Sequence, residues 1–302
     1  MNILVCMKNK TIIALEHPRQ SHMVWDGFRV SQYIPGYGRE MGPHSSPFLM
    51  LDYNRPWIIP PQENHRPWVG FHPHRGFETV TIVYSWEIEH QDTAGNGGVI
   101  WPDEVQWMTA GSWLLHNEFM TERFSRRGGM QHAVQLWIDL PREFKMTPPR
   151  YQALTRDVIP EVIFAWGKAR IIAGNFVGLN WTWIKITQEW IAQTHSPIEL
   201  YDIELVHTSK IQLSLPDGYI TMILIVEWSL QINDKNLENG DMITLSRDGD
   251  MIDVISREEN ARFLVIAGKP LEQTVVQHGP FVMNTREEIN QAIDDFRSGK
   301  MG

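Results

Sequence analysis

The chain is almost without cysteine: Cys6 stands alone among 302 residues. A disulfide framework is therefore impossible, and so is a metal centre built on paired thiolates. A reducing compartment suits such a composition. Long apolar runs are missing as well. Nothing approaches the roughly 18 apolar residues of a membrane span. The opening MNILVCMKNK is too short and too charged for the apolar core of a signal peptide. The expectation is a soluble cytoplasmic protein with no membrane partner. Positive charge is the minority sign, with 27 Lys and Arg against 36 Asp and Glu, a net −9. Without a dense basic stripe, direct nucleic-acid binding is not expected, because phosphate recognition needs clustered cations. A protein partner stays open.

What is present can fold. A hydrophobic fraction of 42% supports a packed core, and the length suits two ordinary domains. Short β-like runs separated by Gly, Pro, Asn and Asp turns fill the first half, at 79–84, 99–100, 105–108 and 133–138. A second series follows at 169–173, 200–206, 219–226, 229–232, 242–245 and 263–266. That rhythm predicts an all-β protein of two similar sandwiches or barrels rather than a parallel α/β sheet. The first twenty residues read as an arm or an edge strand, and the proline- and charge-rich stretch from Pro141 to Pro160 as a connector. Near the end, Thr285 and Glu288 have capping-box spacing, with Asn284 as the other possible cap. Ile289, Ile293 and Phe296 then form one apolar stripe, predicting a short helix that ends near Gly299.

The chemistry concentrates in Gly70-Phe71-His72-Pro73-His74-Arg75-Gly76-Phe77-Glu78. Residues two apart on a strand project from the same face, so His72 and His74 can converge on one ion. Pro73 fixes φ and stiffens the segment between them. Leu115-His116-Asn117-Glu118 repeats the two-residue step 42 residues after His74 (116 − 74), which leaves room for intervening strands. Two antiparallel strands would bring His72, His74, His116 and Glu118 together. Three imidazoles and a carboxylate suit iron, and also manganese, nickel, copper or zinc. On an octahedral ion they would leave two positions for water, substrate or dioxygen. Glu78 reads as a residue behind the ligands or a structural one. His90 and His132 read as hydrogen-bonded structural histidines.

The runs HPHRGFETVT, DTAGNGGVI, VQWMTAG, LHNE and GPFVMNTREEI resemble the pirin family of the cupin superfamily, over roughly residues 25–302. The resemblance implies a bicupin: an arm at 1–24, a metal-binding cupin barrel at 25–145, a linker at 146–165, and a second barrel with the C-terminal helix at 166–302. It implies ligands at His72, His74, His116 and Glu118, holding Fe(II). The second half shows no His-x-His; His195 and His207 are isolated and His278 sits near the terminal motif, so no metal is expected there. Two functions follow from the resemblance. One is a quercetin 2,3-dioxygenase, with a small aromatic flavonol and dioxygen as substrates and Glu118 as the catalytic base. The other is a redox-sensing regulator whose iron state tunes a protein partner.

Thirteen tryptophans are many for this length. Trp57, Trp107 and Trp137 fall where the resembled family carries large apolar residues. Trp25, Trp68, Trp86, Trp101, Trp113, Trp166, Trp181, Trp183, Trp190 and Trp228 fall mostly where it places turn glycines. A turn glycine often holds φ > 0, which is costly for tryptophan. A UGA codon that one genetic code reads as glycine and another as tryptophan would produce this pattern, and UGG codons at all ten positions would exclude it.

Overall fold

The structure is a computed structural model that describes residues 8–18, 20–34, 45–62, 65–179, 191–257 and 260–301. It is nearly all β, with two antiparallel two-sheet barrels. Two α-helices, Glu122–Arg127 and Arg286–Arg297, occur among the described residues.

The first barrel comprises Arg19–Arg156 and Leu271–Gly302; the second comprises Met1–Pro18 and Asp157–Pro270. This corrects the expected division at residues 24, 145 and 165. Of the two readings of the first residues, arm or edge strand, the edge strand is the one found: Ile12–Glu16 pairs antiparallel with Met242–Leu245, at the edge of the second barrel. The Lys10 ammonium is buried there and donates to the carbonyls of Tyr219, Ser246 and Arg247. In the other direction, the C-terminal helix belongs to the first barrel. Part of the expected connector is a strand, Arg150–Leu154, which pairs with Val105–Thr109. Local pattern cannot assign such segments, because edge pairing is a long-range event.

In the first barrel a seven-stranded sheet runs, in order, Arg150–Leu154, Val105–Thr109, Phe77–Val83, Gly129–Asp139, Phe48–Ile59, Phe28–Ile34 and His22–Val24. A four-stranded sheet runs Trp68–His74, Leu114–Met120, Ile88–Asp92 and Gly97–Ile100. Phe77–Val83 is buried at every position, including Glu78 and the two threonines, as expected of a central strand covered on both faces. Gly76 breaks the chain between Trp68–His74 and Phe77–Val83. Its φ is +86°, and a Cβ there would lie 2.0 Å from the Val282 carbonyl oxygen. The break puts Glu78 in a different sheet from His74.

In the second barrel Ser209–Ser214 alternates buried and half-buried positions, the period-two signature of a strand with one face inward. Its core joins Ile203, Ile223, Ile225, Phe263 and Val265. Each such side chain contributes about 1.5–3 kcal/mol by leaving water.

The C-terminal helix forms as its cap predicts. Thr285 is the N-cap, its side chain accepts from the Glu288 amide, and the Glu288 carboxylate returns to the Thr285 backbone. Of the apolar stripe, Ile289 is buried with Ala292 and Ile293 packs against them, while Phe296 is partly exposed beside Phe281. The tryptophans divide. Trp25 and Trp228 do carry left-handed backbone, with φ of 53° and 62°. Trp86 does not; it is buried edge-on against Phe28. Trp181, Trp183 and Trp190 lie outside the described residues.

Candidate metal centre

Strand pairing builds the site. Leu114–Met120 lies antiparallel to Trp68–His74, with His116 opposite His72 and Leu114 opposite His74. His116 is followed by Glu118 opposite Val69, so the register slips by one residue at Gly70-Phe71, a β-bulge. On its other side the same strand pairs with Ile88–Asp92, where Glu118 faces His90. His72, His74 and His116 converge. Their nitrogen atoms lie within 4.8 Å of one another, and the ring centroids are 4.3–4.8 Å apart. Ligand atoms bound to one ion at about 2 Å stand about 3–4 Å apart, so small side-chain rotations close the triad on a metal.

The rings are prepared for it. His72 Nδ1 lies 2.7 Å from the Gly70 carbonyl, so it carries the proton and Nε2 keeps its lone pair for a metal. The His74 ring hydrogen-bonds the Pro280 carbonyl, and its Nδ1 is buried without a partner. Both nitrogens of His116 are buried without one. Burial pushes all three pKa values down. The neighbouring imidazoles add to this at His74 and His116, while the Pro280 and Gly70 carbonyls oppose it at His74 and His72. The neutral form is the one that binds a metal. Orphaned, neutral, converging nitrogens fit a transition-metal ion.

Glu118 stands outside the converging triad but lines the same cavity as His72. Its Oε1 is buried without a partner, and burial raises its pKa to about 7 against a hydrogen bond from Gln135. Glu78 accepts a 2.6 Å hydrogen bond from Thr109, and burial raises it to about 7 as well. His132 is the structural histidine expected, 2.9 Å from the Tyr53 hydroxyl. His90 is not. It is fully buried, and neither of its ring nitrogens has a hydrogen-bond partner among the described residues.

The cavity has a volume of about 280 Å³. Trp25, Phe28, Trp86 and several aliphatic side chains form apolar walls; Asp52, Thr81, Glu118 and Gln135 supply polar groups. Trp101 and Trp113 do not line it. Sequence reasoning missed Asp52, Gln135 and the Pro280 carbonyl. The only local signal was a polar residue within each of two apolar runs, FLMLDY and AVQLWI. Thr81 and Asp52 flank Gln135 on the two neighbouring strands, a row that exists only once the sheet is assembled.

Residues 27–138 match the family model for pirin, and residues 200–302 match the pirin C-terminal cupin domain. The chain belongs to the pirin family. A Pseudomonas aeruginosa relative, provisionally named a quercetin 2,3-dioxygenase, is 40% identical over 293 residues, spanning 96% of this chain and 98% of its own. The pirin of Mus musculus is 35% identical over 237 residues, spanning 76% of this chain and 77% of its own. A crystal structure of quercetin 2,3-dioxygenase from Acinetobacter baumannii, 40% identical, superposes with a TM-score of 0.87 over 97% of this chain and 98% of its own. Both barrels are thus of the cupin type.

Proposed function

We propose that this pirin is an Fe(II)-dependent dioxygenase acting on quercetin-type flavonols, with His72, His74, His116 and Glu118 as the metal ligands. The observation that carries the reading is the converging triad, with unpartnered buried nitrogens on His74 and His116, and Glu118, whose Oε1 is unpartnered, on the cavity that His72 lines. A divalent ion held by these residues would supply Lewis-acid chemistry toward the substrate oxygens and dioxygen. The apolar and aromatic walls bind a flat apolar ring system and exclude water. Glu118 takes the proton of the flavonol 3-hydroxyl. Gln135 holds one oxygen of that carboxyl in place. Similarity to the two quercetin dioxygenase relatives supports this substrate class.

The test is anaerobic loading with ferrous iron followed by quercetin depletion in air. Turnover that disappears in His116→Ala is the expected result. A full metal complement with no depletion of quercetin overturns the substrate assignment.

A further inference from the structure

His90 is a buried histidine that the proposed reaction does not use. It sits on Ile88–Asp92 directly opposite Glu118. Its ring stacks on Tyr151 at 5.2 Å and 12°, and lies 5.2 Å from the His116 ring. A neutral imidazole carries one donor and one acceptor, and neither is paired among the described residues. Leaving such groups buried and unpaired is costly. A phenylalanine would fill the same volume against Tyr151 at no such cost. A side chain facing it across the sheet could supply that partner.

Glu118 offers it. Its Oε1 is also buried without a partner. Directly opposed residues project from one face of a sheet with Cβ atoms about 4.5–5.5 Å apart, so side-chain rotation alone joins the ring N–H to that carboxylate. Movement of Glu118 toward the histidine triad would present one oxygen to the ion and the other to His90. We propose that His90 is a positioning residue for Glu118, donating a ring N–H to its carboxylate in the metal-loaded protein, with the Tyr151 stack fixing the ring plane. This rests on the four-ligand reading above. A hydrogen bond of this kind orients a ligand and tunes its basicity, and its removal typically costs about 10–100-fold in metal affinity.

Cobalt(II) titration, followed by visible absorption and by competition with a chelator, tests the proposal on the full-length protein. His90→Phe is expected to weaken cobalt binding about 10–100-fold and shift the cobalt bands, while leaving the melting temperature of the metal-free protein unchanged or higher. His90→Gln, which keeps a donor, is expected to restore most of the affinity. In a Glu118→Ala background, which has no side-chain acceptor at that position, His90→Phe is expected to have no further effect. Wild-type affinity and spectrum in His90→Phe overturn the proposal, whatever happens to its melting temperature. An equal further loss in the Glu118→Ala background also overturns it, because His90 would then act on the ion without Glu118. If Glu118→Ala binds cobalt as tightly as wild type with the same spectrum, the four-ligand reading fails and the His90 assignment fails with it.

Discussion

Trp228 and Asp103 share a backbone conformation but not its cost. Both carry φ near +60°, where a short polar side chain is tolerated and a bulky one is strained. Trp228 is also more than half exposed, so packing returns little against that strain. Trp228→Gly is expected to stabilise the protein by about 1 kcal/mol, read as a higher urea midpoint with unchanged slope. A lower midpoint would show that the indole makes contacts worth more than the strain. Trp25 is less clear-cut because its ring packs on Trp68 and lines the cavity. Trp86 shows the opposite case: buried beside Phe28 with ordinary φ, it belongs to the core. The codon at each tryptophan position decides which of them are read as glycine.

At the scale of elements, strands are tied by buried charge as well as by ladders. Asp202 on Ile198–Leu205 is fully buried and accepts from Arg170 of Gly167–Ala173 at 3.0 Å, and from Arg262 of Ala261–Gly268 at 2.6 and 3.0 Å. Burial opposes its ionisation, but Arg262 and then Arg170 outweigh it and hold the carboxyl below its usual range. A carboxyl depressed in the folded state contributes stability above its unfolded pKa and loses it as pH falls through the folded value. Asp202→Asn is therefore expected to cost about 3–5 kcal/mol at pH 7, with the gap to wild type narrowing below about pH 4. Thermal melts of both proteins from pH 7 to pH 3 check this. A gap that stays constant across that range would mean that packing, not charge, sets the loss.

At the scale of the whole molecule, the chain's end completes a site made near its beginning. The Arg75 amide donates to the Pro280 carbonyl and the Val282 amide to the Arg75 carbonyl, so the terminal segment docks one residue after His74. The buried Arg75 guanidinium pairs at 2.9 Å with Asp295 on the C-terminal helix. Lys145 ties Asp139 to the carbonyls of Gly76 and Val282. Removing Asp295 leaves a buried cation without its counter-ion beside the histidine strand. Asp295→Ala is expected to lower the melting temperature and weaken cobalt binding, whereas exposed Asp294→Ala does neither. Equal metal affinity in the two variants would show that the helix stabilises the barrel without shaping the site.

The sequence by itself determined the strand content, the C-terminal capping box and the shared face of His72 and His74. All are local: a strand's period of two puts His72 and His74 on one face, and Thr285 reaches Glu288 within one helical turn. Tertiary structure decided the rest. Arg286–Arg297 was readable as a helix but not as part of the first barrel, and Ile12–Glu16 only became a strand of the second by pairing some 230 residues away. The bulge at Gly70-Phe71 sets where Glu118 falls relative to His72, and no local pattern encodes it. His90 looked like an ordinary structural histidine until register placed it opposite Glu118 with no partner of its own. Burial, which pushes the imidazoles toward the neutral form and Glu118 to a pKa of about 7, exists only once both sheets have closed around them.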